Sequence, residues 1–220
     1  MLVVGFDTAT PAVSVALHDG GRVVASALTI DARRQGELLA PMVAKVMAEA
    51  GAARGDLTGV AVGVGPGPYT GLRVGLVTAR VLGSVLDIPV HGLCTLDVIA
   101  AGTGADHAGE FLVATDARRK EVYWARYDAA GRRIEGPLVG PAAEIDGAHR
   151  LTVAGAGGRL YAEAFGELAE PAHPDARILC ELVVRSLRGE DGPELLPPTP
   201  LYLRRPDARE PGAPKRVTPP

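Results

Sequence analysis

The sequence predicts an α/β protein made of two copies of one βββαβ-type unit, and three observations carry that reading. Short apolar or alternating runs come in threes, at Leu2–Phe6, Ala12–Leu17 and Val23–Leu28, and again at Phe111–Thr115, Glu121–Tyr127 and Arg132–Val139. In each triplet a glycine-bearing turn joins the last two runs, His18-Asp-Gly-Gly in the first and Asp128-Ala-Ala-Gly131 in the second. Helix-period residues and a further buried strand then follow. A repeated order of this kind implies internal duplication, with a cleft between the halves.

In the first half, Leu38, Leu39, Met42, Val43, Val46, Met47 and Ala50 recur at helical spacing. The spacing predicts an amphipathic helix with Pro41 near its first turns and its end at Gly51. A strand at Val60–Val64, a helix from Gly71, a strand at Val90–Leu93 and a helix from Thr95 complete this half. In the second half a helix is expected over Pro141–Ala148, a strand over Leu151–Ala154, and a helical stretch from the Gly155-Ala-Gly-Gly158 turn to Leu168. The last helix runs over Asp175–Arg188, with Asp175 as N-cap. Beyond Gly192 lie nine of the 18 prolines, so the tail is expected to be extended, largely without core, and either mobile or draped over a surface. The units are therefore 1–103, 104–192 and a Pro-rich tail, 193–220.

Composition excludes several classes. The 220 residues suffice for a core without staples. Cys94 and Cys180 sit in apolar surroundings far apart in sequence and read as free buried thiols of a reducing compartment, with no activating partner in view. No signal peptide or bilayer-spanning stretch is visible, so a cytoplasmic location and no membrane partner are expected. A net charge of -3 and 4 % aromatic residues argue against broad electrostatic capture or stacking of nucleic acid. Any RNA role then needs partners.

The densest glycine and proline run, Gly63-Val-Gly-Pro-Gly-Pro-Tyr-Thr-Gly-Leu-Arg-Val-Gly75, joins a buried strand to an apolar helix. A strand–glycine turn–helix junction makes either an anion cradle or a plain tight turn, and this one lacks the Lys-Ser/Thr of a nucleotide P-loop. The helix that follows is apolar almost all round. Arg73, Thr78, Arg80 and Ser84 interrupt a series that runs from Leu72 through Val77 and Val81 to Leu86. It is buried on two sides, either by the Leu38–Ala50 helix of the same chain or also by another chain. Leu38, Leu39, Met42, Val43, Val46, Leu72, Arg73, Leu76 and Arg80 are the interface candidates.

Four segments together resemble the bacterial TsaB (YeaZ) family over nearly the whole chain. They are Asp7-Thr8-Ala9-Thr10, the stretch from Gly65, Pro66 and Gly67 through Thr70 and Gly71 to Gly75, Asp116-Ala-Arg118-Arg-Lys-Glu121-Val-Tyr123, and Pro200-Leu-Tyr-Leu-Arg204. The resemblance implies the actin/Hsp70/sugar-kinase fold in duplicated form. It also implies a part in making threonylcarbamoyladenosine next to the anticodon of tRNAs that read codons starting with A. Members are not thought to perform the transfer. They dimerise or pair with the catalytic subunit TsaD, the ATPase TsaE joins, and tRNA is reached through the complex.

That fold ordinarily holds ATP between its halves, and the nucleotide elements here are degraded. Asp7 stands where a phosphate-loop aspartate would, but Ala9 replaces the glycine that lets backbone approach a phosphate, and Asp116 is followed by Ala-Arg-Arg. The turn holding Gly155, Gly157 and Gly158 reads as an adenosine-site turn or as a structural one. No cofactor is expected, and ATP only weakly or within a complex. His18, His91, His107, His149 and His173 are scattered, without the His-x-x-x-His pair of the catalytic relative, so neither a metal nor a catalytic residue is expected. Arg118, Arg119 and Lys120 read as a solvated turn or as a contact for TsaD or tRNA. The reading is a noncatalytic scaffold subunit. Its rivals are an ATP-dependent kinase or ATPase using Asp7 and, last, a metallopeptidase, for which the sequence offers no His-Glu-x-x-His motif.

Overall fold

Strands that read as unbroken apolar runs are buried on both faces. In the computed structural model, which describes residues 1–104 and 109–204, β1 (Val3–Asp7), β2 (Ala12–His18) and β4 (Gly59–Gly63) are buried along their whole lengths. With β3 (Val23–Ile30) and β5 (Val90–Leu93) they form a sheet of order β3-β2-β1-β4-β5. The pairs β1–β2 and β2–β3 are antiparallel, and β1–β4 and β4–β5 are parallel. The second sheet repeats the plan with β6 (Phe111–Asp116), β7 (Val122–Tyr127), β8 (Arg133–Gly140), β9 (Thr152–Ala154) and β10 (Leu168–Ala169), in the order β10-β9-β6-β7-β8. Pairing directions match strand for strand. This is the duplicated α/β, actin-like fold.

Helices α1 (Gln35–Glu49) and α2 (Tyr69–Leu86) cover one face of the first sheet, where Leu39, Met42, Val46, Leu72 and Leu76 share a core with Phe6, Val15 and Val62. On its other face lie α3 (Thr95–Gly102) and α5 (Ala176–Leu187), through Val98, Leu179 and Val183 against Val3 and Leu93. Helix α3 also packs Leu96 and Ile99 against Phe111 and Tyr127 of the second sheet, so it stands between the sheets. The Asp175 side chain caps α5 by accepting from the Arg177 N–H at 2.8 Å.

Three local readings change. Helix α1 begins at Gln35, three residues before the apolar spacing starts, which puts Pro41 in its interior. The Glu37 carbonyl that Pro41 cannot bond lies at an exposed residue, where water can serve it. The helix expected over Pro141–Ala148 is instead two 3₁₀ turns, Ala142–Glu144 and Ala148–Arg150, separated by Gly147 at φ 68°. The stretch to Leu168 is the single turn α4 (Ala156–Leu160), a 3₁₀ turn at Ala162–Ala164, and then β10. The Gly166 N–H bonds the carbonyls of Ala148 and Leu151, which pulls the chain out of helix toward β9.

Past Gly192 the chain runs along the junction of the halves. Leu196 exchanges two 2.8 Å backbone bonds with Gly92, and the Leu201 N–H donates to the Val64 carbonyl at 2.9 Å. Both leucines touch the cores of both sheets. No helix among the described residues is long and apolar enough to cross a membrane.

Candidate functional site

Asp7 ends β1 at the point where an actin-like cleft would open, but it is sealed off. It has no exposed surface, and its Oδ1 accepts from the Ala9 N–H at 2.7 Å while Oδ2 accepts from the Thr95 hydroxyl at 2.8 Å. Thr95 in turn accepts from the Gly65 N–H at 3.2 Å, and its own N–H donates to the Gly65 carbonyl at 2.8 Å. Asp7 thus ties the end of β1 to the loop after β4 and to the start of α3. Burial pushes its carboxyl up to about 6, against the lowering effect of its two hydrogen bonds.

The glycines of the β4–α2 junction make room for this arrangement. A Cβ at Gly63 would overlap the Asp7 carboxylate, and one at Gly67 would overlap the Ala9 carbonyl. At Gly71 and Gly75 it would stand 2.5 Å from the Thr8 carbonyl and 2.6 Å from Thr8 Oγ1. That hydroxyl is itself a bridge, donating to the Gly71 carbonyl at 2.7 Å and accepting from the Gly75 N–H at 3.0 Å. The close approach that glycine permits is made by the chain's own β1–β2 turn.

The second half does the same. A Cβ at Gly155 would overlap the Ala114 carbonyl, and at Gly157 it would lie 2.9 Å from the Thr115 nitrogen. The N–H groups of Gly155 and Ala156 donate to the carbonyls of Pro171 and Ala172 at 3.0 and 2.8 Å. Gly158 packs against Val153, so the turn read as an adenosine site is filled by protein. With Asp7 shut away and both glycine turns occupied, the residues present do not fit an ATP held as actin-like proteins hold it.

What the cleft does contain is a cavity of about 370 Å³, lined by Thr8, Thr10, Arg33, Thr70, Thr115 and Arg118 among others. At its mouth the β6–β7 turn holds Arg118, Arg119 and Lys120 at φ 62°, 57° and 63°, three successive left-handed residues. Asp116 steadies the turn, its Oδ1 accepting from the Arg118 N–H at 2.7 Å and its Oδ2 lying 3.3 Å from Arg118 Nη1. Beside the turn the tail completes a cross-half junction. The Arg204 guanidinium pairs with Glu121 and donates to the Ala117 carbonyl at 2.9 Å. The Tyr69 hydroxyl donates to the Arg204 carbonyl at 2.6 Å, and Arg73 Nε donates to the Tyr202 hydroxyl at 2.8 Å while lying over both tyrosine rings. Tyr123 is buried in β7, near this junction but within the sheet. Motif segments distant in sequence therefore meet in one place.

A family model described as TsaD, tRNA N6-adenosine threonylcarbamoyltransferase, matches residues 29–165. The Escherichia coli tRNA threonylcarbamoyladenosine biosynthesis protein TsaB is 38% identical over 128 residues, 58% of this chain and 55% of that protein. YeaZ from Pseudomonas aeruginosa superposes with a TM-score of 0.77 at 29% identity, covering 92% of this chain and 99% of that one. The chain belongs to the TsaB (YeaZ) family. An uncharacterized protein of Mycobacterium tuberculosis is similar over more of its length, 44% identical over 94% of this chain and 93% of that protein.

The structure sorts the interface candidates of α1 and α2 by burial. Leu39, Met42, Val43, Val46, Leu72 and Leu76 are buried within this chain, Leu38 is half-buried, and Arg73 and Arg80 are exposed. Leu72 and Leu76 point inward because Gly71, Gly75, Ala79 and Gly83 mark the face of α2 that lies closest to the sheet. The apolar face left outside is Val77, Val81 and Val85, exposed by 59%, 54% and 76%. Their i, i+4, i+8 spacing, opposite the glycine stripe, was the signal available in the sequence.

The remaining chemistry is sparse. Burial pushes the Cys94 thiol up to about 12 and the Cys180 thiol higher still. The Gly20 N–H donates to His18 Nδ1 at 2.9 Å, and burial lowers the pKa of His18, His91 and His173. His107 lies outside the described residues. Among the described residues no group of three or more His, Cys, Asp or Glu could hold a metal ion.

Proposed function

We propose that the chain is a noncatalytic accessory subunit in the synthesis of tRNA threonylcarbamoyladenosine, acting in the cytoplasm by presenting its α1–α2 face to a TsaD-like catalytic subunit or, when alone, to a second copy of itself. A TsaE-like ATPase joins that assembly, and tRNA is reached through it. The observation that carries this reading is the α2 stripe of Val77, Val81 and Val85, three exposed apolar residues on one helix face. The sealed Asp7 supports the noncatalytic part, since an actin-like phosphotransfer site needs that carboxylate open to the cleft.

Two variants separate a docking residue from a core residue. Val81→Glu puts a charge on an exposed position and should leave a folded protein that no longer captures the TsaD-like subunit on copurification and runs as a monomer in light scattering. Leu76→Glu buries an unpaired charge and should unfold the chain. Full capture by folded Val81→Glu would sink the docking assignment. Phosphate release from ATP and Mg²⁺ at about 1 per second or faster would return the case to the kinase reading.

A further inference from the structure

We propose that the outer rim where the tail crosses the two halves is a direct contact for a single-stranded segment of RNA, held by a basic turn and a tyrosine–arginine cluster. The inference rests on the reading that the chain serves a tRNA reaction, and deepens it from reach through a partner to contact by this chain. The chain has a net charge of -3, yet Arg73, Arg118, Arg119, Lys120 and Arg204 converge here from α2, the β6–β7 turn and the tail. The carboxylates among them, Asp116 and Glu121, are each paired within the cluster, with Arg118 and Arg204. Among the described residues no carboxylate pairs with Arg73 or Lys120. An excess of positive charge on one rim of an acidic chain is the footprint of a polyanion.

The backbone of the turn is a second, separate observation. Arg118, Arg119 and Lys120 are successive left-handed residues, at φ 62°, 57° and 63°, and all three are exposed. Glycine takes this conformation without strain and other residues do not, so the turn carries three cations at a conformational cost. The third observation is the pair of rings beside it. Tyr69 and Tyr202 lie 4.9 Å apart, Tyr202 is 40% exposed, and the exposed Arg73 guanidinium sits 5.3 and 5.6 Å from the two ring centroids. The 2.8 Å hydrogen bond from Arg73 Nε to the Tyr202 hydroxyl holds that flat group in place. Aromatic residues make up only 4% of the chain, and two of them stand on this rim. Rings and a guanidinium plane stack unpaired bases while the cations track phosphates. A duplex keeps its bases inside and an acidic polypeptide has none, so the chemistry selects single-stranded RNA over both.

The test is fluorescence anisotropy of the full chain with a labelled single-stranded RNA of about 12 nucleotides, the same sequence as a duplex, and labelled polyglutamate. The single strand should bind about tenfold tighter than either, and should lose about 20- to 50-fold in affinity between about 50 and 200 mM salt, as about three to four neutralised phosphates require. Lys120→Glu should weaken it about tenfold, and Arg22→Glu, the same charge change at the distant β2–β3 hairpin, by less than about twofold. Tyr202→Ala should weaken RNA binding about tenfold and leave polyglutamate unmoved, while Tyr202→Phe, which keeps the ring, should bind within about twofold of the parent. Val81→Glu should bind RNA as the parent does, and Lys120→Glu should still capture the TsaD-like subunit, so this contact and the docking face fail separately. Polyglutamate bound as tightly as the single strand would assign the rim to an acidic protein instead. A duplex bound as tightly, Lys120→Glu no weaker than Arg22→Glu, or no saturable RNA binding by the parent at about 50 mM salt would each overturn the proposal.

Discussion

Protonating Asp7 should stabilise this fold, and the amount follows from where the residue sits. Burial raises its carboxyl from 3.8 to about 6, and no water reaches it to soften that effect. A carboxyl that holds its proton more tightly in the folded chain contributes stability that is complete below about pH 3.8 and gone above about pH 6. The gap is worth about 3 kcal/mol. In Asp7→Asn the amide cannot ionise. Its lost acceptor toward the Thr95 hydroxyl is a fixed penalty that does not vary with pH. The difference between parent and variant should therefore shift by about 3 kcal/mol against the parent between pH 3.5 and 7.5, or about 6–12 °C in melting temperature for a chain of this size. Melts of both proteins at half-unit steps measure it, because every other titrating group cancels in the difference. Parallel profiles would refute the argument. A parent that gained on the variant as pH rose would mean that the carboxylate is the favoured form, as it would be beside a bound cation.

Other outcomes follow from the same packing. Gly75→Ala forces a methyl against Thr8 Oγ1 and breaks a two-way bridge, so denaturant titration should show a loss of about 2–3 kcal/mol, where a change below about 0.5 would mean the turn simply shifts. Truncation after Gly192 removes Leu196 and Leu201 from both cores and should lower the unfolding midpoint by about 3–5 kcal/mol of stability. The docking pair Val81→Glu and Leu76→Glu should split into folded monomer and unfolded chain, read by light scattering and circular dichroism.

Period and punctuation in the sequence located the strands of both sheets except β10, and they located α1, α2, α3 and α5, because each of these carries enough apolar residues to bury a face. Two kinds of feature were not legible. Single helical turns, such as α4 and the turns at Ala142–Glu144 and Ala148–Arg150, are too short to show a helical period, and tertiary bonds such as those of the Gly166 N–H decide their form. The two faces of α2 were the other difficulty. A helix apolar all round does not say which side is inside, and in the sequence the larger Leu72 and Leu76 are as plausible an outer face as Val77, Val81 and Val85. Likewise Asp7 read as a group at the cleft, and only the partner across the fold, Gly63 with its missing side chain, shows that the carboxylate is walled in.

The tail gives the motif residues a common purpose. Opening the cleft would separate the start of α2 from the β6–β7 turn, and Arg204 holds both, through its carbonyl to Tyr69 and its guanidinium to Glu121 and Ala117. Leu196 and Leu201 fill the seam below, against the cores of both sheets. An enzyme that closes on ATP needs its halves free to swing. Here that swing would break charge-assisted bonds and expose two leucines, at a cost of several kcal/mol. A chain so tied presents α1 and α2 in one fixed relation to the second sheet, which suits the scaffold role proposed above.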